Sequence, residues 1–314
     1  MGIYADDIEK GFHNPYYQNG PKPSTALQYF QDFASELAGT FTMLWFGFGV
    51  NAQVFLSKNT AGDFLSINIA WGCGVFFGYL VGYRSGAHLN PAVTLTNVFL
   101  RGFSLKKLPF YWAGQFIGAL LASLVVYANY LVPIKNFDLS AGPGNSSTGI
   151  FMTSPKDFMS LEGRFFSEFV TSAMLMVGIY ALDYTSKKGF SKVPMPIGLA
   201  ILIMVLGMSS GWETSYALNP ARDFSPRVAS YLLGYGTRVF SDSQWYFWIP
   251  LVAPCCGCLV GGVAHDFVSG SDESPVRQLL DWISGDSVIK RKRKELIRLH
   301  SATSSTKSVD TLVG

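Results

Sequence analysis

Two short triplets, Asn90-Pro91-Ala92 and Asn219-Pro220-Ala221, carry the most informative chemistry of this 314-residue chain. Asn is a preferred helix N-cap, and Pro is favoured at the first helical position, where its missing N–H costs nothing. Each triplet therefore predicts the start of a helix whose cap presents a side-chain amide. Because both triplets lie between apolar stretches, these helices would begin inside a membrane, where non-helical backbone must be buried in protein or line a watery cavity. The pattern predicts an inverted repeat with a permeation path at its centre.

The sequence offers no arrangement of side chains for catalysis. No carboxylate, Cys/His or Ser/His constellation is apparent, so we expect no enzymatic activity, no cofactor and no metal site. The cluster Cys255-Cys256-Gly257-Cys258 has no second Cys/His cluster with which to bind metal, and apolar neighbours disfavour a thiolate. The net charge of +3 gives no reason to expect a nucleic-acid partner.

The composition is that of a membrane protein. Apolar residues make up 49% of the chain and charged residues 14%, whereas soluble domains carry about 25% charge. About 20 apolar residues cross the hydrocarbon core of a bilayer. Six segments qualify: Phe33–Leu56, Phe64–Gly82, Pro109–Val132, Phe165–Leu182, Val193–Gly211 and Trp245–Val263. We therefore expect an all-α membrane protein with six transmembrane helices and two re-entrant half-helices in an inverted repeat.

The predicted domain organisation follows from these spans. We expect a cytoplasmic tail over 1–32, a channel domain over 33–263 with repeats at about 33–132 and 165–263, and a second cytoplasmic tail over 264–314. Lys and Arg concentrate in the loops after the second and fourth spans and in the C-terminal tail, which places both termini in the cytoplasm. The plasma membrane is the expected location. The run Lys290–Lys294 is expected to meet anionic lipid at about 1 kcal/mol per residue.

Each half of the chain also holds a carboxylate inside its first span, Glu36 in one and Glu168 in the other. A carboxylate at that depth is expensive and calls for a partner. We interpret both as hydrogen-bond acceptors that hold the extended backbone before each half-helix. The alternative is a proton relay in a coupled transporter. His88, beside Asn90, is expected to brace the same loop.

The residues Gly86–Thr94 and Asn219–Phe224 resemble the paired signatures of the aquaporin (major intrinsic protein) family, and the resemblance covers Phe33 to Val263. Within the family the chain looks like the aquaglyceroporin branch, because it has Asp223 directly after Arg222, Arg227 four positions later, and Pro250-Leu251 in the sixth span. The resemblance implies a homotetramer with one pore per subunit and a role for Asp223 in bracing the half-helix.

The resemblance also implies a constriction built by Gly207, Tyr216, Arg222 and a residue of the second span. That fourth position falls on Ala70 by counting, but the flanking sequence better matches Trp71, which we assign. Gly207 would leave the constriction wide, Trp71 and Tyr216 would form an apolar corner, and Arg222 would offer N–H donors. Such a slot fits a small polyol better than an ion.

Three functions remain open from the sequence. The first is passive single-file permeation of glycerol and water, with protons and cations excluded by Arg222, by the positive ends of both half-helices and by the Asn90 and Asn219 amides. The second is a water-selective channel. The third is a proton-coupled transporter that uses Glu36 or Glu168.

Covalent modification is a separate question. Asn145-Ser146-Ser147 is a glycosylation sequon in a loop, 133–162, expected outside the cell. Ser85 and Ser301 are candidate phosphorylation sites, at which about −1.5 to −2 charges would be added. The alternative is that Ser85 is a small residue needed for packing and that Ser301 is unmodified.

Overall fold

The computed structural model describes residues 25–141 and 146–270, together with Pro275 and Leu279. The chain forms two compact units, 1–265 and 266–314. The second includes the end of the last α-helix named below, Ile249–Ser269. Asn145, Ser301 and the run Lys290–Lys294 lie outside the described residues, so the predictions made for them stay predictions.

The secondary structure of the described residues is made of helices joined by turns and loops, with no strands among them. Its α-helices are α1 (Thr25–Leu56), α2 (Phe64–Val81), α3 (Pro91–Leu100), α4 (Leu108–Asn129), α5 (Leu131–Ala141), α6 (Leu161–Lys187), α7 (Met195–Thr214), α8 (Pro220–Ser230), α9 (Arg238–Trp245) and α10 (Ile249–Ser269). Shorter turns lie at Tyr83–Ser85, Ser147–Ile150, Tyr231–Tyr235 and Tyr246–Trp248.

Within the described residues, five helical segments are long and apolar enough to cross a membrane. They are α2, α4, α6, α7 and the stretch from α9 through α10. The helix α1 is also long enough, with 32 residues, but small and polar residues interrupt its apolar sequence. The short helices α3 and α8 have 10 and 11 residues, which corresponds to a rise of about 15 Å, or half the hydrocarbon core.

Several predicted boundaries are corrected by the structure. The first span starts at Thr25 and not at Phe33, because its polar first turns are retained through contacts such as the ion pair of Asp32 with Lys107 at 2.8 Å. The fourth span starts at Leu161 and not at Phe165, since the Ser160 hydroxyl accepts a hydrogen bond from the Gly163 N–H and caps the helix. A prediction from the length of an apolar run takes no account of the Asp32–Lys107 ion pair or of the Ser160 cap.

The predicted long loop between the third and fourth spans is partly helical. The third span ends at Asn129, and α5 follows directly, although a loop was expected over 133–162. Downstream of α5, Ile150, Phe151 and Met152 are buried. This segment is therefore folded into the body of the protein.

Paired glycines bring the helices of each half into close contact. A Cβ atom on Gly114 or Gly118 of α4 would stand 2.5 Å from a backbone carbonyl oxygen of α1. In the second half, Cβ atoms on Gly257 and Gly261 of α10 would overlap carbonyl oxygens of α6 in the same way. Small residues at four-residue spacing are typical of close helix packing in membranes. The same device thus joins first to third span and fourth to sixth.

Candidate pore and selectivity site

The two Asn-Pro-Ala triplets begin α3 and α8, as predicted. Asn90 is the N-cap of α3, and its side-chain oxygen accepts a hydrogen bond from the Ala92 N–H at 2.9 Å. Asn219 is the N-cap of α8 and accepts from the N–H groups of Ala221 at 3.0 Å and Arg222 at 3.3 Å. Pro91 and Pro220 occupy the first helical positions. The local chemistry of each triplet is therefore that of a capped helix start.

The amide nitrogens of the two asparagines join the halves of the chain. Asn90 Nδ2 donates to the Leu218 carbonyl at 2.9 Å, and Asn219 Nδ2 donates to the Leu89 carbonyl at 2.8 Å. Each carbonyl belongs to the residue before the opposite asparagine. A primary amide has two N–H donors, so each side chain keeps a second donor after this bond. Nothing in the local sequence signals these reciprocal bonds.

The backbone before each half-helix is held in an unfavourable conformation. Leu89 has φ of 52° and Leu218 has φ of 55°. For a residue with a side chain, this left-handed region costs about 1–3 kcal/mol and persists only where the surroundings determine it. The left-handed turn points the Leu89 and Leu218 carbonyls at the opposite asparagine, so these two strained residues complete the reciprocal bonds.

The two buried carboxylates stabilise these segments. Glu36 accepts from the backbone N–H groups of His88 at 2.9 Å and Leu89 at 2.8 Å. Glu168 accepts from those of Ala217 at 2.9 Å and Leu218 at 3.1 Å. Backbone donors of both pre-helix segments are thereby satisfied, and each carboxylate serves as an acceptor in its own half.

Further donors surround both carboxylates. Glu36 also receives hydrogen bonds from the Ser85 hydroxyl at 2.6 Å and the Gln115 amide at 2.8 Å. Glu168 receives one from the Tyr246 hydroxyl at 3.2 Å. Neither glutamate has any solvent-exposed surface. Both carboxylates are thus surrounded by hydrogen-bond donors of the protein itself.

His88 lies in a contact network on one side of the first triplet. Its Nδ1 is 3.2 Å from the Thr94 hydroxyl, and its Nε2 is 3.2 Å from Asn97 Nδ2. The ring packs against both Phe103 and Tyr111, with centroid distances of 4.9 and 5.0 Å, and these two rings also contact each other at 4.8 Å. These contacts hold the His88 ring beside α3.

Arg222 is buried in the first turn of α8. Its Nη1 donates to the Phe151 carbonyl at 2.9 Å. The guanidinium carbon lies 4.5 Å from the centroid of the Trp71 ring and 5.5 Å from that of Phe48. The bond to Phe151 uses one of the five N–H donors of the guanidinium. The cation is thus fixed between a carbonyl and two aromatic rings.

The aromatic ring that faces Arg222 belongs to Trp71, the residue assigned to the second-span position of the constriction. The indole Nε1 donates to Asn51 Oδ1 at 3.2 Å, and Asn51 Nδ2 donates in turn to the Ile150 carbonyl at 3.0 Å. The ring also meets Phe48 edge-on, with centroids 5.9 Å apart. The orientation of Trp71 is therefore set by hydrogen bonding as well as by packing.

The space beside Gly207 is occupied by the side chains of Asn68 and Tyr216. A Cβ atom at this position would overlap Asn68 Oδ1 and would lie 2.7 Å from Cζ of Tyr216. A Cβ atom at Gly211, one turn later, would lie 2.5 Å from Cδ1 of Tyr216. Gly207 and Gly211 thus make a shelf on α7 on which the Tyr216 ring lies. The widening expected at Gly207 stays a prediction.

Asp223 connects the second half-helix to the segment after α5. Its carboxylate accepts from the Thr153 N–H at 2.8 Å and hydroxyl at 2.5 Å, and it pairs with Arg227 at 2.6 Å. Arg227 donates to the carbonyls of Val239 at 2.6 Å and Thr153 at 2.7 Å. Asp223 and Arg227 are almost completely buried. The sequence pointed to both residues but not to Thr153 or Phe151, which lie some 70 positions away.

The environment of Ser85 favours the packing role over phosphorylation. The single O–H of Ser85 lies within hydrogen-bond distance of the Gly82 carbonyl, at 2.9 Å, as well as of Glu36, and its oxygen accepts from the Ala87 N–H at 3.2 Å. The Ser85 carbonyl accepts from the Tyr111 hydroxyl at 2.6 Å. A phosphate on this oxygen would remove these contacts and add repulsion from Glu36.

In the described ranges, 25–141 and 146–270, no group of three or more His, Cys, Asp or Glu side chains is placed to hold a metal ion. The four cysteines are all free thiols, and Cys258 is buried.

Comparison with known proteins places this geometry in a family. The family model for the major intrinsic protein matches residues 24–265. The chain is 47% identical over 253 residues to the probable aquaglyceroporin-2 of Gibberella zeae, covering 78% of this chain and 74% of that protein. It is also 47% identical over 247 residues to aquaglyceroporin-9 of Botryotinia fuckeliana, covering 77% of this chain but only 54% of that longer protein.

A solved structure agrees with this assignment. The crystal structure of the aquaglyceroporin from Plasmodium falciparum superposes with a TM-score of 0.70 at 33% identity, covering 77% of this chain and 97% of that one. The match is to a protein of the same class as both fungal relatives. The chain belongs to the major intrinsic protein family.

Proposed function

We propose that this protein is a passive channel for glycerol, related small polyols and water that excludes ions and protons. The observation that carries the proposal is the cluster around Arg222, whose guanidinium carbon lies 4.5 Å from the centroid of the Trp71 ring, together with the Tyr216 ring on its glycine shelf. A polyol has hydroxyls along one edge and carbon along the other, so it matches a site where N–H donors lie beside aromatic surfaces. The names of the relatives, aquaglyceroporins in each case, support the same substrate class.

The proposed mechanism assigns two roles to the asparagines and half-helices. The second N–H of Asn90 and of Asn219 binds the oxygen of a passing water or polyol and orients it, which interrupts the hydrogen-bonded chain that protons need. The N-termini of α3 and α8 each carry about half a positive charge. Together with the buried cation of Arg222 they form an electrostatic barrier to cations and protons.

Passive permeation is favoured over proton coupling by the state of the buried carboxylates. Glu36 accepts four hydrogen bonds and Glu168 accepts three, and neither is exposed. A carboxylate that cycles between protonation states would release the backbone of Leu89 or Leu218 at each turnover. We therefore assign both to the scaffold.

Assembly and orientation are parts of the same proposal. We propose a homotetramer with one pore per subunit, embedded in the plasma membrane with both termini in the cytoplasm. The orientation rests on the distribution of Lys and Arg among the loops.

Purified protein in proteoliposomes provides the test. Stopped-flow light scattering would measure water flow in a sucrose gradient and glycerol flow in a glycerol gradient, with and without a proton gradient. We expect both solutes to pass faster than in empty vesicles and glycerol flow to be unaffected by the proton gradient. Water flow without glycerol flow would select a water-specific channel, and glycerol flow that follows the proton gradient would select a coupled transporter.

A further inference from the structure

Asn68 is a buried polar residue close to the constriction. It lies on α2, one turn before Trp71, and has no solvent-exposed surface. Its Nδ2 donates to the Phe64 carbonyl at 2.7 Å, but its Oδ1 has no hydrogen-bond partner among the described residues. An amide oxygen without a partner in such surroundings is unfavourable. Its placement therefore calls for an explanation.

A second unpartnered polar atom lies at the same place. The hydroxyl of Tyr216 is buried and also lacks a partner within the described part of the chain. A Cβ atom on Gly207 would overlap Asn68 Oδ1 and would stand 2.8 Å from the Tyr216 hydroxyl oxygen. One of these groups can donate and the other can accept. They converge on a residue that has no side chain to separate them.

The position of the Tyr216 ring needs a side-chain anchor. Its backbone is left-handed, with φ of 37°, and the two backbone bonds to Glu168 begin only at the next residue, Ala217. The ring lies against the shelf of Gly207 and Gly211. These apolar contacts limit where the ring can lie without fixing how far it extends into the slot.

We propose, on the basis of the function proposed above, that Asn68 is a positioning residue for the constriction. Its Oδ1 accepts a hydrogen bond from the Tyr216 hydroxyl after a small rotation of that side chain, and this bond holds the ring on the shelf of Gly207 and Gly211. The width of the slot opposite Arg222 is set by this bond. When the bond is lost, the ring leaves the shelf and narrows the slot, so a larger solute is slowed before a smaller one.

The experiment compares Tyr216→Phe, Asn68→Leu and the double variant in proteoliposomes. Tyr216→Phe removes the donor and keeps the ring, whereas Asn68→Leu removes the acceptor and nearly preserves the volume. The readout is the ratio of glycerol to ethylene glycol permeability, measured with water permeability on the same vesicles. Tyr83→Phe, which removes an exposed phenol at the turn Tyr83–Ser85, is the matched control.

We expect each single variant to lower the glycerol to ethylene glycol ratio by about two- to tenfold, which is what one net hydrogen bond sustains. The double variant should lower it no further, because partners in one bond are not additive. Tyr83→Phe should leave the ratio unchanged. If Asn68→Leu does not fold, Asn68→Ala takes its place in the same cycle.

Two outcomes would overturn the inference. Unchanged ratios in both single variants would show that the hydroxyl and the amide do not set the slot. Effects that multiply in the double variant would show that the two groups act separately. Both outcomes require that the wild-type protein conducts glycerol. A wild-type protein without glycerol permeability would instead overturn the proposed function.

Discussion

Replacing Asp223 by Asn should strongly destabilise the protein. In the native structure the Asp223 carboxylate pairs with Arg227 at 2.6 Å and accepts from the Thr153 N–H and hydroxyl. The side chains of Arg227 and Asp223 are 2% and 0% exposed. The Asp223→Asn variant keeps the shape of the side chain but leaves the Arg227 cation buried without its counter-charge.

We expect a large loss in the free energy of unfolding, because the ion pair of Asp223 and Arg227 is buried away from water. Removing one partner of a buried ion pair costs about 3–5 kcal/mol. At about 2–4 °C for each kcal/mol in a chain of this size, the melting temperature should fall by about 6–20 °C. The loss should also loosen Thr153 and, two residues earlier, Phe151, whose carbonyl holds Arg222. We therefore expect weaker glycerol selectivity in the fraction that remains folded.

The chain contains a matched control for this variant. Asp183 and Lys187 form an ion pair with the same four-residue spacing on α6, at 2.9 Å, but their side chains are 21% and 26% exposed. Pairs of this kind contribute about 0.2–1 kcal/mol. Thermal unfolding in detergent, followed by size-exclusion chromatography after heating, would compare Asp223→Asn with Asp183→Asn. Equal shifts in the two variants would refute the reasoning from burial.

Three further variants test other parts of the site. Arg222→Ala should raise proton or cation leak while water flow is retained, because the buried cation is lost; an unchanged leak in a folded variant would remove Arg222 from the barrier. Gly207→His should slow glycerol more than water, since even its Cβ overlaps Asn68 Oδ1 and displaces the Tyr216 ring; a parallel loss of both flows would place the constriction elsewhere. Ser85→Asp should lower the melting temperature and the yield of folded protein, because it sets a second carboxylate against Glu36; a variant that melts like the wild type would contradict the packing role.

The features that the sequence predicted are those encoded locally. Three consecutive residues suffice to predict each of the helix caps at Asn90 and Asn219. Apolar runs of sufficient length predict the membrane spans. The acceptor role assigned to Glu36 and Glu168 came from their symmetrical placement. In each of these cases the physical cause lies within a few residues of the signal, or is repeated in both halves of the chain.

The features that the sequence did not predict depend on distant partners. Phe151 and Thr153 contact Arg222 and Asp223 across about 70 positions, from a segment with no apolar periodicity. In the sequence, nothing distinguishes Asn68 from other polar residues of a helix, because its proximity to Gly207 on another helix is visible only in the structure. The start of α1 was missed because its polar first turns are stabilised by a partner, Lys107, in another loop.

The reciprocal bonds of Asn90 and Asn219 have a consequence for how the chain is made. The acceptor of the Asn90 amide, the Leu218 carbonyl, lies 128 residues further along. At a synthesis rate of about 5–20 residues per second, that carbonyl emerges about 6–26 s after Asn90. During this interval the first half-helix has a polar end and a strained turn with no opposite half to pair with. The amino-terminal half therefore cannot complete its own re-entrant loop, and correct insertion of that loop must wait for translation of the second repeat.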